Sequence, residues 1–315
     1  MNHSFFLFRF FPMLRPDRRT PQLGVAIVLI STILFGLGSP AARATYAEGA
    51  NFVLVALFTM FCRALFLVGY CAFRRRRIFD SRKTLPMTTL GAFFHASAMA
   101  AIHLALVTLQ APLALMILYL FPLGLLIYLA IRGEMPVTPK LVGMVLMALF
   151  GLCLVLKVFE VQGDIAWTGV FWAFVSAFFV GARMYVHGKL TQKRSPAVVG
   201  AENFILATGF TLLLVFWKLP VLPLTREGYG WLLLDGMANG FGSLLSFYAL
   251  SMIGAFSLGL FGKLEPIWAA LFSALLLQEY LGFNQYIGMA IVLGALVLYQ
   301  LDTRPKRGLD PLAQE

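Results

Sequence analysis

From about residue 23 to residue 301 the chain is a succession of apolar runs, each roughly twenty residues long, separated by short polar breaks. A helix needs about 20 mostly apolar residues to cross the hydrocarbon core of a bilayer. Within that core each backbone polar group must be paired inside its own segment, so runs this long and continuous form helices rather than barrel strands. Ten runs qualify: 23–43, 52–73, 88–108, 111–131, 139–158, 166–187, 198–218, 229–250, 254–276 and 283–301. The pattern predicts an all-α membrane protein with ten transmembrane helices.

Composition agrees. Of the 315 residues 60% are hydrophobic and 12% charged, where soluble domains carry about 25% charged residues. Thirty Phe against fourteen acids leave more apolar surface than one water-shielded core can hold, so the surplus faces lipid. The net charge of +11 would by itself suggest nucleic acid. The basic residues, however, lie between the apolar runs and do not gather on a polar segment with aromatic stacking positions, so no nucleic-acid partner is expected.

If the N-terminus is cytoplasmic, most basic residues fall on the inner side, including Arg9, Arg15, Arg18, Arg19 and the Arg74 to Arg77 run. Only Arg43, Lys157, Lys218 and Arg226 fall on the outer side. That bias places both termini in the cytoplasm. Cys62, Cys71 and Cys153 lie in or beside apolar runs and read as reduced packing residues, not a disulfide framework. Residues 1–22 read as an uncleaved tail, with Phe side chains in the membrane interface and arginines on anionic headgroups. Residues 303–315 form a second cytoplasmic tail.

The polar link FEVQGD at 159–164 divides the chain into residues 23–160 and 161–302, five runs each. The halves echo one another. HLALVTLQAPLALMILYLFP and FYALSMIGAFSLGLFGKLEP align without gaps, pairing Ala105 with Ala249, Leu106 with Leu250, Ala111 with Ala255, Leu120 with Leu264 and Pro122 with Pro266. Glu134 precedes Gly143 by the same nine places by which Glu279 precedes Gly288. Five helices per copy is an odd number, so the second copy enters from the opposite face and the repeats are inverted. Inverted repeats give one chain two related conformations, with a binding site near the midplane between them.

A charged side chain at mid-helix costs about 2.5–3.5 kcal/mol on insertion scales, so it faces the bundle interior or a water-filled path. Arg63, Asp235, Lys263, Glu265 and Glu202 meet that description, with His95, His103, Asn203 and Asn239 as neutral companions. Pro266 has no amide hydrogen and its ring collides with the Gly262 carbonyl, so the helix should bend there; Pro122 should act likewise. Lys263 and Glu265 point to different faces of one helix, and the repeat alignment sets Lys263 against Tyr119 and Glu265 against Phe121.

The expectation is that Lys263 and Tyr119 contact a substrate, the lysine attracting a carboxylate or phosphate, while Glu265 pairs with Arg63 or another cation. Arg63 serves equally well as a structural anchor, and His103 and Asn239 are further binding candidates. Asp235 and Glu265 are candidates for proton coupling. Glu134 and Glu279, at helix ends, read as capping or loop-pairing residues. There is no HExxH motif, Asp-rich pair, serine nucleophile with a base or ATP-binding P-loop, so no catalytic residue, metal or cofactor is expected.

Over about residues 23–302 the chain resembles the drug/metabolite transporter superfamily, specifically its ten-helix EamA-like members, as two tandem copies. The first copy carries FGLGSP from Phe35, Arg63, Pro122 and GEMPVTPKLVG from Gly133 to Gly143; the second carries GDIAW from Gly163, LEP from Leu264 and QEYLGFNQYIG from Gln278 to Gly288. Phe35-Gly36 stands where the family often has Trp-Gly, and Lys263 lies outside the usual pattern. The resemblance implies a secondary carrier of a small polar metabolite, anionic or zwitterionic such as an amino or organic acid, in a bacterial-type inner membrane. The partners it implies are the substrate, membrane lipids and a proton or counter-substrate, and it is compatible with a homodimer. The competing readings, an intramembrane lipid-modifying enzyme or a non-transporting sensor, lack the motifs they need.

Overall fold

A computed structural model describes residues 21–216 and 218–303. The two tails predicted from sequence lie almost wholly outside them. The described residues are helical with no strand: α1 (Pro21–Ala47), α2 (Phe52–Phe73), α3 (Leu85–Thr108), α4 (Ala111–Leu118), α5 (Phe121–Ile131), α6 (Pro139–Val155), α7 (Trp167–Lys193), α8 (Pro196–Thr211), α9 (Arg226–Phe261), α10 (Glu265–Leu276) and α11 (Phe283–Thr303). Eight stretches are long and apolar enough to cross a membrane, and α6 is a shorter apolar helix.

Local sequence sets the helix starts. Asn51, Thr138 and Thr225 each accept the free amide three residues on, at Leu54, Leu141 and Gly228. Side-chain oxygens at this position satisfy donors that the first turn leaves unpaired. Proline opens α3, α4, α5, α6, α8 and α10, where its missing amide hydrogen costs nothing. On the outside of the bundle Leu65, Phe174 and Phe178 are each more than half exposed, as a lipid-facing surface requires.

Three of the ten runs depart from the sequence expectation. The run 111–131 is interrupted at Tyr119 and Leu120 and resumes as α5 with Pro122 in its first turn. The runs 229–250 and 254–276 fall within one 51-residue helical stretch, Arg226–Leu276. Its first helix, α9, has 36 residues and would extend about 54 Å if straight, well beyond a hydrocarbon core of about 30 Å. It is not straight, because Gly254 takes φ 77 and ψ 170, a conformation that favours glycine.

The chain reverses at Gly254. Before it, α9 runs antiparallel to α1: Gly24 abuts Met252 and Ile253, Ser31 Oγ donates to the Gly242 carbonyl at 3.2 Å, and Gly38 abuts Asp235 and Asn239. After it the chain climbs back alongside α1, with Gly36 against Trp268 and Arg43 beside Glu279.

Similar contacts join α7 to α3. Gly169 on α7 abuts Thr108 and Leu109 at the end of α3, as Gly24 abuts Met252 and Ile253. Ser176 Oγ on α7 donates to the Ala98 carbonyl on α3 at 2.8 Å, as Ser31 donates to Gly242. Backbones also meet between α6 and α11, where a Cβ on Gly151 would lie 2.8 Å from the Gly288 carbonyl.

Glu202 on α8 is 1% exposed and takes both Nη atoms of Arg194 at 2.6 Å. It also accepts the Phe79 amide at 2.9 Å and Thr88 Oγ1 at 3.3 Å, and Arg194 reaches on to Asp80. This network fastens the basic α2–α3 loop to the α7–α8 corner. Removing one partner of a buried ion pair strands the other charge, so Glu202→Ala should cost about 3–5 kcal/mol. Thermal unfolding in detergent should show a lower melting temperature, with Arg194→Ala causing a comparable loss.

Candidate functional site

A cavity of about 270 Å³ lies at mid-bundle between the halves. α1 contributes Ser31, Thr32 and Phe35; α2, Arg63; α7, Arg183 and His187; α8, Phe204; and α9, Ser243, Ser246 and Phe247. Its remaining walls are the two interruptions, Leu118 to Phe121 between α4 and α5 and Leu258 to Glu265 at the start of α10. Both interruptions precede a proline in the first turn of the next helix, Pro122 or Pro266, and a 3-10 turn at Gly262–Leu264 separates α9 from α10. Helices that break at equivalent places open space where intact ones would close it.

The polar groups of this cavity are incompletely paired. Arg63 is clasped by the rings of Phe35 and Phe204, at 5.7 and 5.6 Å from its guanidinium carbon, and its Nη2 donates to Asn239 Oδ1. Arg183 Nη1 lies 3.3 and 3.4 Å from the ring nitrogens of His95. Among the described residues Arg63 Nε, Arg183 Nε and His187 Nε2 are buried and find no partner. Buried polar groups are nearly always paired in proteins, so three unpaired ones on residues around a single cavity are exceptional.

Behind Arg63 lies a second polar layer. Asp235 is 3% exposed and accepts Thr59 Oγ1 on one oxygen and Asn239 Nδ2 on the other, the latter at 2.8 Å. Asn239 therefore bridges the Asp235 carboxylate to the Arg63 guanidinium. It stands behind the cavity wall and does not line the cavity as the sequence reading expected.

Other expectations need correction. Lys263 is fully buried and lies outside the cavity lining; its Nζ donates to the Tyr119 carbonyl at 2.8 Å and sits 5.8 Å from the Tyr119 ring centre. The break at Pro122 explains this. The Leu123 amide, which would serve Tyr119 in an unbroken helix, bonds to Leu120 instead, and Lys263 supplies the missing donor. Tyr119 itself does line the cavity.

Glu265 also lines it, but the expected ion pair with Arg63 is absent, since Asn239 and two aromatic rings hold the guanidinium. Among the described residues neither Glu265 nor Asp235 lies within 4.0 Å of a cationic nitrogen. His103 lies away from the cavity, its Nδ1 on the Met99 carbonyl at 2.7 Å and its ring against Phe52.

Sequence reasoning missed Arg183, although the rule that singled out Arg63, a cation inside an apolar run, applies to it equally. His187, likewise not singled out, is buried and lines the cavity.

Replacing Lys263 by Met should leave the Tyr119 carbonyl without its donor and cost about 1–3 kcal/mol, lowering the melting temperature. Any ligand that stabilises the wild type should stabilise Lys263→Met by the same increment; loss of that increment would return Lys263 to the binding site.

Residues 167–300 match the model of the EamA-like transporter family. No curated protein matches the chain by sequence. A solved structure titled only "Crystal structure of protein" superposes with a TM-score of 0.74 at 17% identity, covering 88% of this chain and 97% of its own. That likeness concerns the fold alone. Over residues 167–300 the chain is thus similar to the EamA-like transporter family.

Proposed function

We propose that the protein is a secondary transporter that moves a small anionic or zwitterionic metabolite, such as an amino or organic acid, by alternating access. The observation that carries this reading is the mid-bundle cavity with its two incompletely paired guanidiniums, Arg63 and Arg183, facing the single carboxylate of Glu265. Two cations and one anion in a low-dielectric site favour a ligand with at least one carboxylate, and Glu265 offers a place for an amine.

The architecture supports alternation. Counting α6 as a crossing and Arg226–Leu276 as two, because it reverses at Gly254, gives ten crossings in two sets of five. The recurring α1–α9 and α7–α3 contacts relate those sets. Gly188, near the end of α7, packs on Ala255, and Gly24, near the start of α1, packs on Ile253. The first helices of the two sets therefore run in opposite directions, as inverted repeats require. With the basic residues concentrated on one side, this arrangement favours both termini in the cytoplasm.

Asp235 is the group we assign to proton coupling. Protonation would remove the negative charge that Asn239 relays to Arg63, leaving more of the guanidinium's field for a bound anion. Coupling of this kind is reciprocal, so anion and proton each tighten the binding of the other.

A thermal-shift screen of purified protein against amino acids, organic acids, sugars, nucleosides and amines tests the substrate class. An anionic or zwitterionic class should stabilise it by about 2.7 kcal/mol at a hundredfold excess over the dissociation constant. Arg63→Gln and Arg183→Gln should each weaken that ligand roughly ten- to hundredfold, as expected for a lost charged hydrogen bond. Stabilisation by amines or neutral compounds alone would overturn the reading. For the stabilising anion, affinity should rise as pH falls in the wild type and stay high and pH-independent in Asp235→Asn, measured by isothermal titration.

A further inference from the structure

The two glutamates at matching repeat positions, Glu134 and Glu279, are both engaged, at opposite ends of the molecule. Glu134, between α5 and α6, accepts Lys189 Nζ at 2.8 Å and Tyr185 Oη at 3.1 Å, both from α7. Glu279, between α10 and α11, accepts both Nη atoms of Arg43, at 2.5 and 3.2 Å, from α1. In each case the acid belongs to one half of the chain and the base to the first helix of the other half.

The two ends are fixed by contacts already described. Glu134, Tyr185 and Lys189 share a surface hollow with Ile253 and Gly254, and Ile253 packs on Gly24 near the start of α1. Arg43 lies at the far end of that helix. The binding cavity, with Ser31 and Phe35 from the middle of α1, sits between them.

We infer that Glu134–Lys189 and Arg43–Glu279 are the two gate latches of the transport cycle, one closing the Gly24 end of the cavity and the other the Arg43 end. The inference rests on the alternating-access reading above and adds to it the residues that bias each gate. Three observations converge on it: matched positions in the two halves, bonds that cross between the halves, and placement at opposite mouths of one cavity. The hydrogen bond from Lys189 holds the Glu134 carboxyl below the usual carboxylate range. A partly exposed ion pair shifts an equilibrium by roughly two- to fivefold, enough to bias a gate and weak enough to break in every cycle.

The test uses a cysteine reporter in the cavity, Ser246→Cys, in full-length protein carrying Cys62→Ala, Cys71→Ala and Cys153→Ala. Labelling by a membrane-impermeant thiol reagent is followed in right-side-out and inside-out vesicles. Glu279→Gln should raise labelling from the Arg43 end roughly two- to fivefold and lower it from the other end; Glu134→Gln should do the reverse. Swapping the charges, Arg43→Glu with Glu279→Arg, should restore the parent pattern, which a merely destabilised protein would not do.

If the parent reporter is labelled from both sides but neither substitution shifts the balance, or both raise labelling at both ends, the latches are refuted while alternating access stands. If the reporter is reached from one side only in the parent and in every variant, alternating access fails and the latches with it.

Discussion

Inside a membrane, a carbonyl that loses its helical partner has no water to turn to and must find another donor. The structure depends on how it meets that demand at Tyr119. Pro122 interrupts the helix there, and Lys263, from the matching interruption in the other half, delivers its ammonium to the exposed oxygen. The two breaks thereby stabilise one another across the bundle.

Around that junction the polar groups form layers. Arg63, Arg183, His187 and Glu265 look into the cavity. Asn239 and Asp235 stand behind Arg63, and His95 stands behind Arg183 with Asn203 on its ring at 3.1 Å. The outer layer positions the inner one while leaving several inner donors unsatisfied. This is the reverse of a structural ion-pair network such as Glu202 with Arg194, Asp80 and Thr88, where both Glu202 oxygens are occupied. Under the proposed function, the contrast between the mid-bundle cluster and the peripheral one corresponds to a binding role and a fastening role.

The membrane class and the helices were readable from the sequence because apolar length alone dictates them. The site was readable only in part. Arg63 and Glu265 stand out as charges in apolar runs, and Arg183 would have done so by the same rule. The placement of Lys263 could not be deduced, because its partner is a backbone oxygen distant in sequence, freed by a different proline. Nor does residue type distinguish His103, bonded within its own helix, from His187, which reaches the cavity; the difference is the direction in which each helix face points. The turn at Gly254 carries only a weak sequence signal, since one glycine among many in α9 adopts the left-handed backbone.

The two positions that the sequence alignment pairs across the cavity are chemically unlike. Glu265 and Phe121 occupy matching positions in the two halves, and both line the cavity, so one wall presents a carboxylate where its counterpart presents a benzene ring. A molecule with an amine at one end and an apolar tail at the other would meet unlike surroundings if it turned end for end. Under the proposed function such a passenger would travel in a single orientation, and stereoisomers that differ only in which face they show to Glu265 would be sorted by the geometry of the walls.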